Sequence, residues 1–125
     1  MSREGRWSLG ADAGPIYLQV GTRVREQLAR GDLRPGDKLP SARDLAGLLS
    51  INPNTIVHAY AQLESDGILE KRRGLGTFIR EDAPVKTMRN EMLKASAEAF
   101  VNDAAQLGVA RDAAMNALKE AWDAR

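Results

Sequence analysis

The sequence SARDLAGLLSINPNTIVHAYAQL, from Ser41 to Leu63, encodes two short helices with almost no connection between them, and the architecture of the domain follows from this pair. The pattern predicts the first of these helices over Ser41 to Leu49. Ser41 and Asp44 form the S-x-x-D capping pattern, in which the serine hydroxyl accepts a hydrogen bond from a backbone N–H of the first turn. Three leucines give this helix an apolar face: Leu45, Leu48 and Leu49.

The second helix begins at Asn52, with only Ser50 and Ile51 between the two helices. Proline has a fixed φ and no N–H, so it is tolerated in a helix only within the first turn, and Pro53 therefore marks that turn. Asn52 is the natural N-cap residue, and Ile51 and Ile56 are placed to form a hydrophobic staple. Two short helices joined by so tight a turn are typical of a helix-turn-helix.

This second helix separates apolar from polar side chains. Ile56, Tyr60 and Leu63 recur at i, i+4 and i+7, and Gly67 ends the helix. The other side is polar: Asn54, Thr55, His58 and Gln62. That side is either an ordinary solvated surface or a surface that enters the major groove of DNA, with its first turn reaching base edges and its free N–H groups facing phosphate. We favour the DNA interpretation because cap, tight turn, preceding helix and following hairpin occur in order.

An upstream helix is predicted from Pro15, with Gly31 as a suitable stop. Its apolar residues recur at helical spacing: Ile16, Val20, Val24 and Leu28. The following segment, LRPGDKLP, is predicted to be a loop because its Pro35-Gly36 pair is a turn signal. Residues 1–13 are expected to form a loose arm, apart from Trp7 and Leu9.

After the second helix of the pair, ILEKRRGLGTFIR predicts two short strands around Gly74 and Gly76. A hairpin that follows a helix-turn-helix is the plan of a winged helix. We therefore expect a winged helix-turn-helix domain over residues 12–82. The predicted fold class is mainly α with a small β-hairpin wing, followed by a short two-helix dimerisation tail.

The tail, residues 83–125, shifts to alanine-rich helix after Ala83-Pro84. The apolar residues of its first helix step by 4, 3, 4 and 3, as in a coiled-coil seam: Leu93, Ala97, Phe100, Ala104 and Leu107. Gly108 breaks this helix, and a final helix carries a second apolar row: Met115, Leu118 and Trp122. Helices this short and sparsely apolar are not stable alone. We expect them to bury these residues in a homodimer, with no ligand cavity inside one subunit.

The composition excludes several kinds of function. The chain has 125 residues and no cysteine, which excludes disulfides and thiolate metal sites. Its single histidine, His58, cannot by itself form a metal site or a catalytic triad, so no catalytic residue, metal or cofactor is expected. No apolar run approaches the ~18 residues of a membrane span and no signal peptide is visible, which predicts a cytoplasmic protein without membrane association. The net charge of +1 favours no particular partner.

Local clusters of positive charge are the candidates for binding an anion. Arg43, in the first turn of the first helix of the pair, either pairs with Asp44 in solvent or directs its guanidinium at a phosphate or a guanine edge. The run from Lys71 through Arg72 to Arg73 either discourages aggregation at a strand edge or binds the DNA backbone or minor groove from the wing.

Three further interpretations of the sequence concern His58, the glycine-containing hairpin and a function other than DNA binding. His58 could reach DNA, but a solvated histidine on a helix face is the alternative. GLGTFI resembles half of a nucleotide-binding loop, yet its sixth position is Ile79 and no helix follows, so we discard that interpretation. The competing function is a non-regulatory winged helix that docks protein, for which the basic run would be incidental.

Two segments carry a resemblance to a known family: PIYLQV, and GDLRPGDKLPSARDLAGLLSINPNTIVHAYAQLESDGILEKRRGLGTFI. Together they resemble the DNA-binding domain of the GntR family of bacterial transcription regulators, over about Trp7 to Arg80. The short helical tail resembles the YtrA subfamily, whose members carry two helices for dimerisation in place of a large effector domain. The resemblance implies a winged-helix dimer that binds double-stranded DNA at a palindromic operator, usually as a repressor. Members of this subfamily often lie beside transporter genes, which implies control of a transport operon.

The resemblance also implies roles for individual residues. The arginine of the LPS-x-R motif, which contacts DNA in related regulators, corresponds to Arg43. The polar residues that open the recognition helix correspond to Asn52, Asn54 and Thr55, and the wing tip to Arg73 and Gly74.

This sequence departs from the fatty-acid-responsive branch of the family at two positions. Two arginines that read bases there fall on Pro53 and Val57 here, which places more weight on Arg43, Asn54, Thr55 and the wing. The operator and any small-molecule effector stay open at this point.

Overall fold

A computed structural model describes Trp7, Leu9, Gly10 and residues 14–125. Asp12, where the domain was expected to begin, and most of the predicted arm lie outside the described residues. The helices and strands are α1 (Ile16–Arg30), α2 (Ala42–Leu49), α3 (Pro53–Ser65), β1 (Leu69–Arg72), β2 (Gly76–Ile79), α4 (Val85–Gln106) and α5 (Arg111–Asp123). The mainly helical fold with a hairpin wing is therefore confirmed.

The helix-turn-helix is set by local hydrogen bonds at the ends of α2 and α3. The Ser41 hydroxyl accepts from the Asp44 N–H at 3.0 Å, as the capping pattern predicts. Ser50 then adopts a left-handed conformation (φ 56°), unlike every other non-glycine residue in the described part of the chain. The Ile51 N–H returns to the Ala46 carbonyl at 3.0 Å, which closes α2 and turns the chain toward α3.

The α3 helix begins as the sequence predicts. Asn52 is its N-cap, and its side-chain Oδ1 accepts from the Asn54 N–H at 2.8 Å. Pro53 occupies the first helical position, where no backbone donor is required. Asn52 and Pro53 together therefore determine where α3 begins.

The core of the first unit lies among the three helices and the base of the hairpin. Its fully buried side chains are aliphatic: Val20, Val24, Leu28, Leu45, Ile56, Leu63, Ile68, Leu69 and Ile79. Leu48, predicted to belong to the apolar face of α2, instead leaves 38% of its surface exposed. The face buried by the eight-residue α2 is narrow and takes only Leu45 and Ala46 into the core.

The segment 33–40, predicted to be a loop, joins the wing through one isolated β-bridge. Lys38 forms an antiparallel bridge with Phe78 of β2. The Leu39 N–H donates to the Thr77 carbonyl at 2.9 Å, and the Ile79 N–H donates to the Asp37 carbonyl at 2.7 Å. The prediction of a simple loop was therefore incomplete, because one bridge is too short to give an alternating pattern.

The hairpin itself is antiparallel, with Leu69 opposite Ile79 and Arg72 opposite Gly76. Residues 73–75 form its tip, and Gly74 has a positive φ of 76°. The Leu75 N–H donates to the Arg72 carbonyl at 2.8 Å and closes the turn. A side chain at position 74 would strain this turn, which explains the glycine there.

Contacts divide the chain into a first unit that ends at Arg89 and a second unit, Asn90–Arg125. This division falls within α4, and the domain boundary expected between residues 82 and 83 stays a prediction. The first turn of α4 belongs to the first unit because Met88 is packed there and is only 4% exposed. Arg89 Nε also donates to the Ala29 carbonyl at 3.1 Å.

A hydrogen bond from Tyr60 connects α3 to the segment before α2, and a first prediction follows from it. Its hydroxyl donates to the Pro40 carbonyl at 2.8 Å, and burial raises the pKa of its phenol above the usual 10.0. Tyr60→Phe should lower the free energy of unfolding by about 0.5–1.5 kcal/mol at pH 8, because the Pro40 carbonyl loses its donor.

The pH dependence of the two proteins should then differ. The phenol of Tyr60 has its usual pKa in the unfolded wild type and a raised pKa in the folded protein. The free energy of unfolding of the wild type should therefore fall as the pH rises above about 10. The Tyr60→Phe protein has no phenol to ionise at this position, so the difference in the free energy of unfolding between the two proteins should narrow at high pH. Urea unfolding at pH 8 and pH 10.5 measures both effects, and a constant difference would contradict a buried, un-ionised Tyr60.

The cap of α3 generates a second prediction. Asn52→Ala should lower the free energy of unfolding by about 1 kcal/mol, because the Asn54 N–H loses its acceptor. Asn52→Ser is the matched control, since serine can supply the same acceptor, and it should stay within a few tenths of a kcal/mol of wild type. Equal losses in the two variants would show that the hydrogen bond contributes nothing to stability.

Candidate nucleic-acid interface

The first two turns of α3 present polar side chains to solvent. Asn54 and His58 are exposed and Thr55 is half-buried, while Ile56 and Tyr60 point into the core. The Asn54 backbone is engaged by the cap, but its side-chain amide makes no hydrogen bond within the described residues. The Oδ1 atom of Asn52 is committed to that cap, which leaves its NH2 group as the part of the side chain that could reach a ligand.

Arg43 is exposed in the first turn of α2. The alternative pairing with Asp44 is not seen, and no hydrogen bond or ion pair engages the guanidinium within the described part of the chain. The α2 and α3 helices pack against each other across the turn at Ser50. An unpaired guanidinium with five donors is suited to a phosphate or to a guanine edge.

The three basic residues of the wing differ in their surroundings. Arg72 is held within the hairpin: it pairs with Glu70 at 2.9 Å, and its guanidinium lies 4.2 Å from the centre of the Phe78 ring. Arg73 and Gly74 are exposed at the tip, where Leu75 is also 62% exposed. The structure thus leaves Arg73 as the exposed cation of the tip and holds Arg72 behind it.

His58 stacks on Tyr17 of α1, with ring centres 4.2 Å apart and planes inclined by 9°. The sequence suggested either a DNA contact or a freely solvated histidine. The imidazole is exposed to solvent, but one of its faces is covered and its orientation is restricted. Nothing local in the sequence indicates this pair, because 41 positions separate the two rings.

An open cleft of about 490 Å³ lies between the wing, the start of α2 and α3. Its lining includes Lys38 and Lys71, the side chain of Val57 and the hydroxyl-bearing residues Ser41 and Thr77. Val57 is 50% exposed. Lys38 reaches the wing through its bridge with Phe78, which no local pattern in the sequence indicates.

The second unit leaves its predicted dimerisation residues largely exposed. Phe100 and Ala104 are half-buried, and the others are exposed: Leu93, Ala97, Leu107, Met115, Leu118 and Trp122. No residue of α5 is buried, and Met88, in the first unit, is the buried residue of α4. Two further apolar side chains, Val101 and Val109, are exposed and fall outside the spacing that indicated the others.

An open groove of about 430 Å³ runs between α4 and α5 within this second unit. Phe100, Val101, Met115 and Leu118 line it, and Arg111 is the charged residue among its lining. The groove is a surface feature of the two tail helices rather than an enclosed ligand cavity.

Metal sites and membrane-spanning helices are both absent from the described residues. Trp7, Leu9, Gly10 and residues 14–125 contain no group of three or more His, Cys, Asp or Glu side chains that could hold a metal ion. Within the same residues, no helix combines the length and the apolar character needed to cross a membrane.

Comparison with known proteins places this geometry in a family. Residues 16–79 match the family of bacterial regulatory proteins named gntR. The transcriptional repressor YtrA of Bacillus subtilis is 41% identical over 97 residues, which cover 76% of this chain and 75% of that protein.

Solved structures agree with this match. A GntR family transcriptional regulator from Listeria monocytogenes superposes with a TM-score of 0.77 and 33% identity, over 89% of this chain and 98% of that one. AraR(DBD), solved in complex with operator ORX1, superposes with a TM-score of 0.51 and 30% identity, over 57% of this chain and 86% of that one. With its helix-turn-helix, wing and helical tail, the chain belongs to the GntR family of DNA-binding transcription regulators and is similar to YtrA.

Proposed function

We propose that the protein is a sequence-specific repressor that binds a palindromic operator as a homodimer. The observation that carries this proposal is the exposed first turn of α3, fixed by the Asn52 cap and accompanied by the unpaired Arg43 of α2. Such a turn is suited to enter the major groove, where side chains from a helix start reach base edges. The operator complex of AraR(DBD) and the repressor YtrA support this assignment by similarity.

Each part of the surface has its own role in this proposal. Arg43, Asn54 and Thr55 contact the DNA in the major groove, and Asn52 adds its NH2 group at the helix start. His58, oriented by its stack on Tyr17, reaches the edge of the same groove. The wing contributes Arg73 and the close backbone approach that Gly74 permits, while Arg72 supports the hairpin beneath them.

The tail supplies the second subunit. No residue of the second unit is buried, so α4 and α5 do not form a core of their own there. Helical stability in proteins comes from the packing of an apolar face, and these two helices therefore need another surface. A second copy would cover the exposed apolar side chains of α4 and α5 and would pair two DNA-reading units for the two halves of a palindrome.

The resemblance to YtrA-type regulators favours a transport operon as the target. The protein would act in the cytoplasm, where bacterial DNA lies. A genomic footprint of the bound protein identifies the operator and the regulated genes.

Binding to DNA is tested by titrating the full chain with duplex from the region upstream of its own gene, across a series of salt concentrations. Phosphate contacts impose a steep loss of affinity with salt. A winged helix that docks protein instead would show no salt-dependent affinity for this duplex or for any selected one.

The roles of Arg43 and Arg73 give a third prediction. Arg43→Ala should cost about 1–3 kcal/mol on the operator and relax base preference, because a bidentate contact with guanine is lost. Arg73→Ala should weaken operator and scrambled duplex similarly and lower the salt slope by about 0.9 per protomer, because a phosphate contact is lost. Lys119→Ala, an exposed substitution in α5, is the control. Unchanged affinity in both arginine variants, with folding intact, would refute the proposed DNA surface.

The tail gives a fourth prediction. Leu118→Glu and Trp122→Glu place a charge on side chains that are 46% and 73% exposed, so each subunit should tolerate them. Each should weaken dimerisation by at least about tenfold, because a charge buried in an apolar interface is costly. Analytical ultracentrifugation measures the dimer, and Lys119→Glu in the same helix should leave it intact. Dimers of wild-type affinity in both variants would place the interface elsewhere.

A further inference from the structure

We propose that α3 reads adenine–thymine base pairs of the operator, with Val57 in contact with the 5-methyl group of a thymine and the Asn54 amide paired with an adenine. This inference rests on the proposed function, which it refines by naming the bases that the helix selects. The sequence of α3, PNTIVHAYAQLES, contains no lysine or arginine. Since a guanine is most often recognised by arginine or lysine, the side chains of α3 are matched to other bases.

Val57 is the large apolar side chain that α3 leaves exposed. It is 50% exposed, whereas the other large apolar residues of the helix are at most 3% exposed: Ile56, Tyr60 and Leu63. Val57 follows the exposed Asn54 by three residues, so the two side chains are neighbours on one side of the helix. The reading surface of α3 therefore combines a polar and an apolar group.

Neither the core nor the helix itself accounts for a valine at position 57. Valine is less favourable in a helix than alanine, because its branched side chain loses rotamer freedom against the preceding turn. A half-exposed side chain also gains only part of the free energy that full burial would provide. An apolar contact with a molecule outside the chain would bury the exposed half of Val57.

The surroundings of Val57 suit a methyl group. Pro40 and Ala42 line the same open cleft as Val57 and add apolar surface from the segment that leads into α2. In the major groove, the apolar group that a base presents is the 5-methyl group of thymine. Contact with this group removes apolar surface of both partners from water, whereas cytosine has only a hydrogen at that position and leaves Val57 exposed.

Asn54 supplies the polar part of the same recognition. Its side-chain amide makes no hydrogen bond within the described residues, and an asparagine amide can bond both N6 and N7 of an adenine. The other amide of α3, Gln62, donates to Asp66 at 3.2 Å and lies about two turns further along the helix. Asn54 is therefore the amide of α3 that is available to an adenine.

The experiment uses the full chain and a duplex selected by it from a random-sequence pool. Each thymine is replaced in turn by deoxyuridine, which removes only the 5-methyl group. Wild type should lose about fourfold in affinity at one thymine of each half-site, which is the loss expected for one buried methyl-sized group.

Variants at position 57 identify the side chain that contacts this methyl group. Val57→Ser should bind the unmodified duplex more weakly than wild type and should be insensitive to deoxyuridine at the same thymine. Val57→Thr, which keeps one methyl group, should retain part of the sensitivity. The control Lys119→Ala should match wild type on every duplex.

Two further base analogues test the same pairs from the opposite direction. Replacement of the sensitive thymine–adenine pair by cytosine–guanine should weaken wild-type binding. A 5-methylcytosine at that position should then recover about fourfold for wild type and nothing for Val57→Ser. At one adenine, 7-deazaadenine, which lacks the N7 acceptor, should weaken wild type and leave Asn54→Ala unchanged.

The outcomes separate this inference from the proposed function. If Val57→Ser responds to every deoxyuridine as wild type does, or if no thymine is sensitive to loss of its methyl group, the thymine contact is overturned. Equal responses of wild type and Asn54→Ala to 7-deazaadenine at every adenine would overturn the adenine contact. In each of these cases the selected duplex is still bound, and the proposed function stands. Failure of wild type to bind any duplex would instead overturn both.

Discussion

The hydrogen bond from the Asn54 N–H to the side chain of Asn52 fixes where α3 begins, and the exposed surface of the helix-turn-helix follows from that start. With Pro53 at the first helical position, it determines where α3 starts and therefore which side chains stand on its first turn. A start one residue earlier or later would rotate the helix by about 100° and exchange buried for exposed positions. Ile56 and Tyr60 can enter the core only if Asn54 and Thr55 remain outside.

The basic residues of the first unit differ in whether a carboxylate pairs with them. Arg43 stands unpaired on α2, while other cations of the first unit are partly neutralised: Arg25 pairs with Asp66, Arg72 with Glu70, and Arg80 with Asp82. The nearly balanced net charge of the chain therefore conceals a local separation of paired and unpaired cations. Position in the fold, rather than total charge, distinguishes the basic residues that can bind an anion.

Local patterns in the sequence predicted most of the fold. The caps at Ser41 and Asn52, the stop at Gly31 and the hairpin around Gly74 each depend on residues close together in the chain, and the structure has all of them. The exposed positions of Arg43, Asn54, His58 and Arg73 also follow from helix and turn periodicity. The contacts that these side chains make with DNA stay predictions.

Features that depend on distant residues could not be predicted in the same way. The stack of Tyr17 on His58 and the bridge between Lys38 and Phe78 each join residues about 40 positions apart, and neither leaves a periodic signal. The packing of Arg72 on Phe78 requires the exact register of the hairpin, which the sequence pattern did not define. The apolar rows of the tail were visible from spacing, but spacing does not identify what covers them.

The bridge between Lys38 and Phe78 also bears on how the wing folds. A two-stranded hairpin is marginally stable in water by itself, and here the segment that bridges to it precedes both helices of the helix-turn-helix. Closing that bridge encloses α2 and α3 in a single loop, so the entropy cost of closure is offset only when both helices are packed. The wing is thus thermodynamically coupled to the helices, and the DNA-reading unit should unfold as one cooperative element.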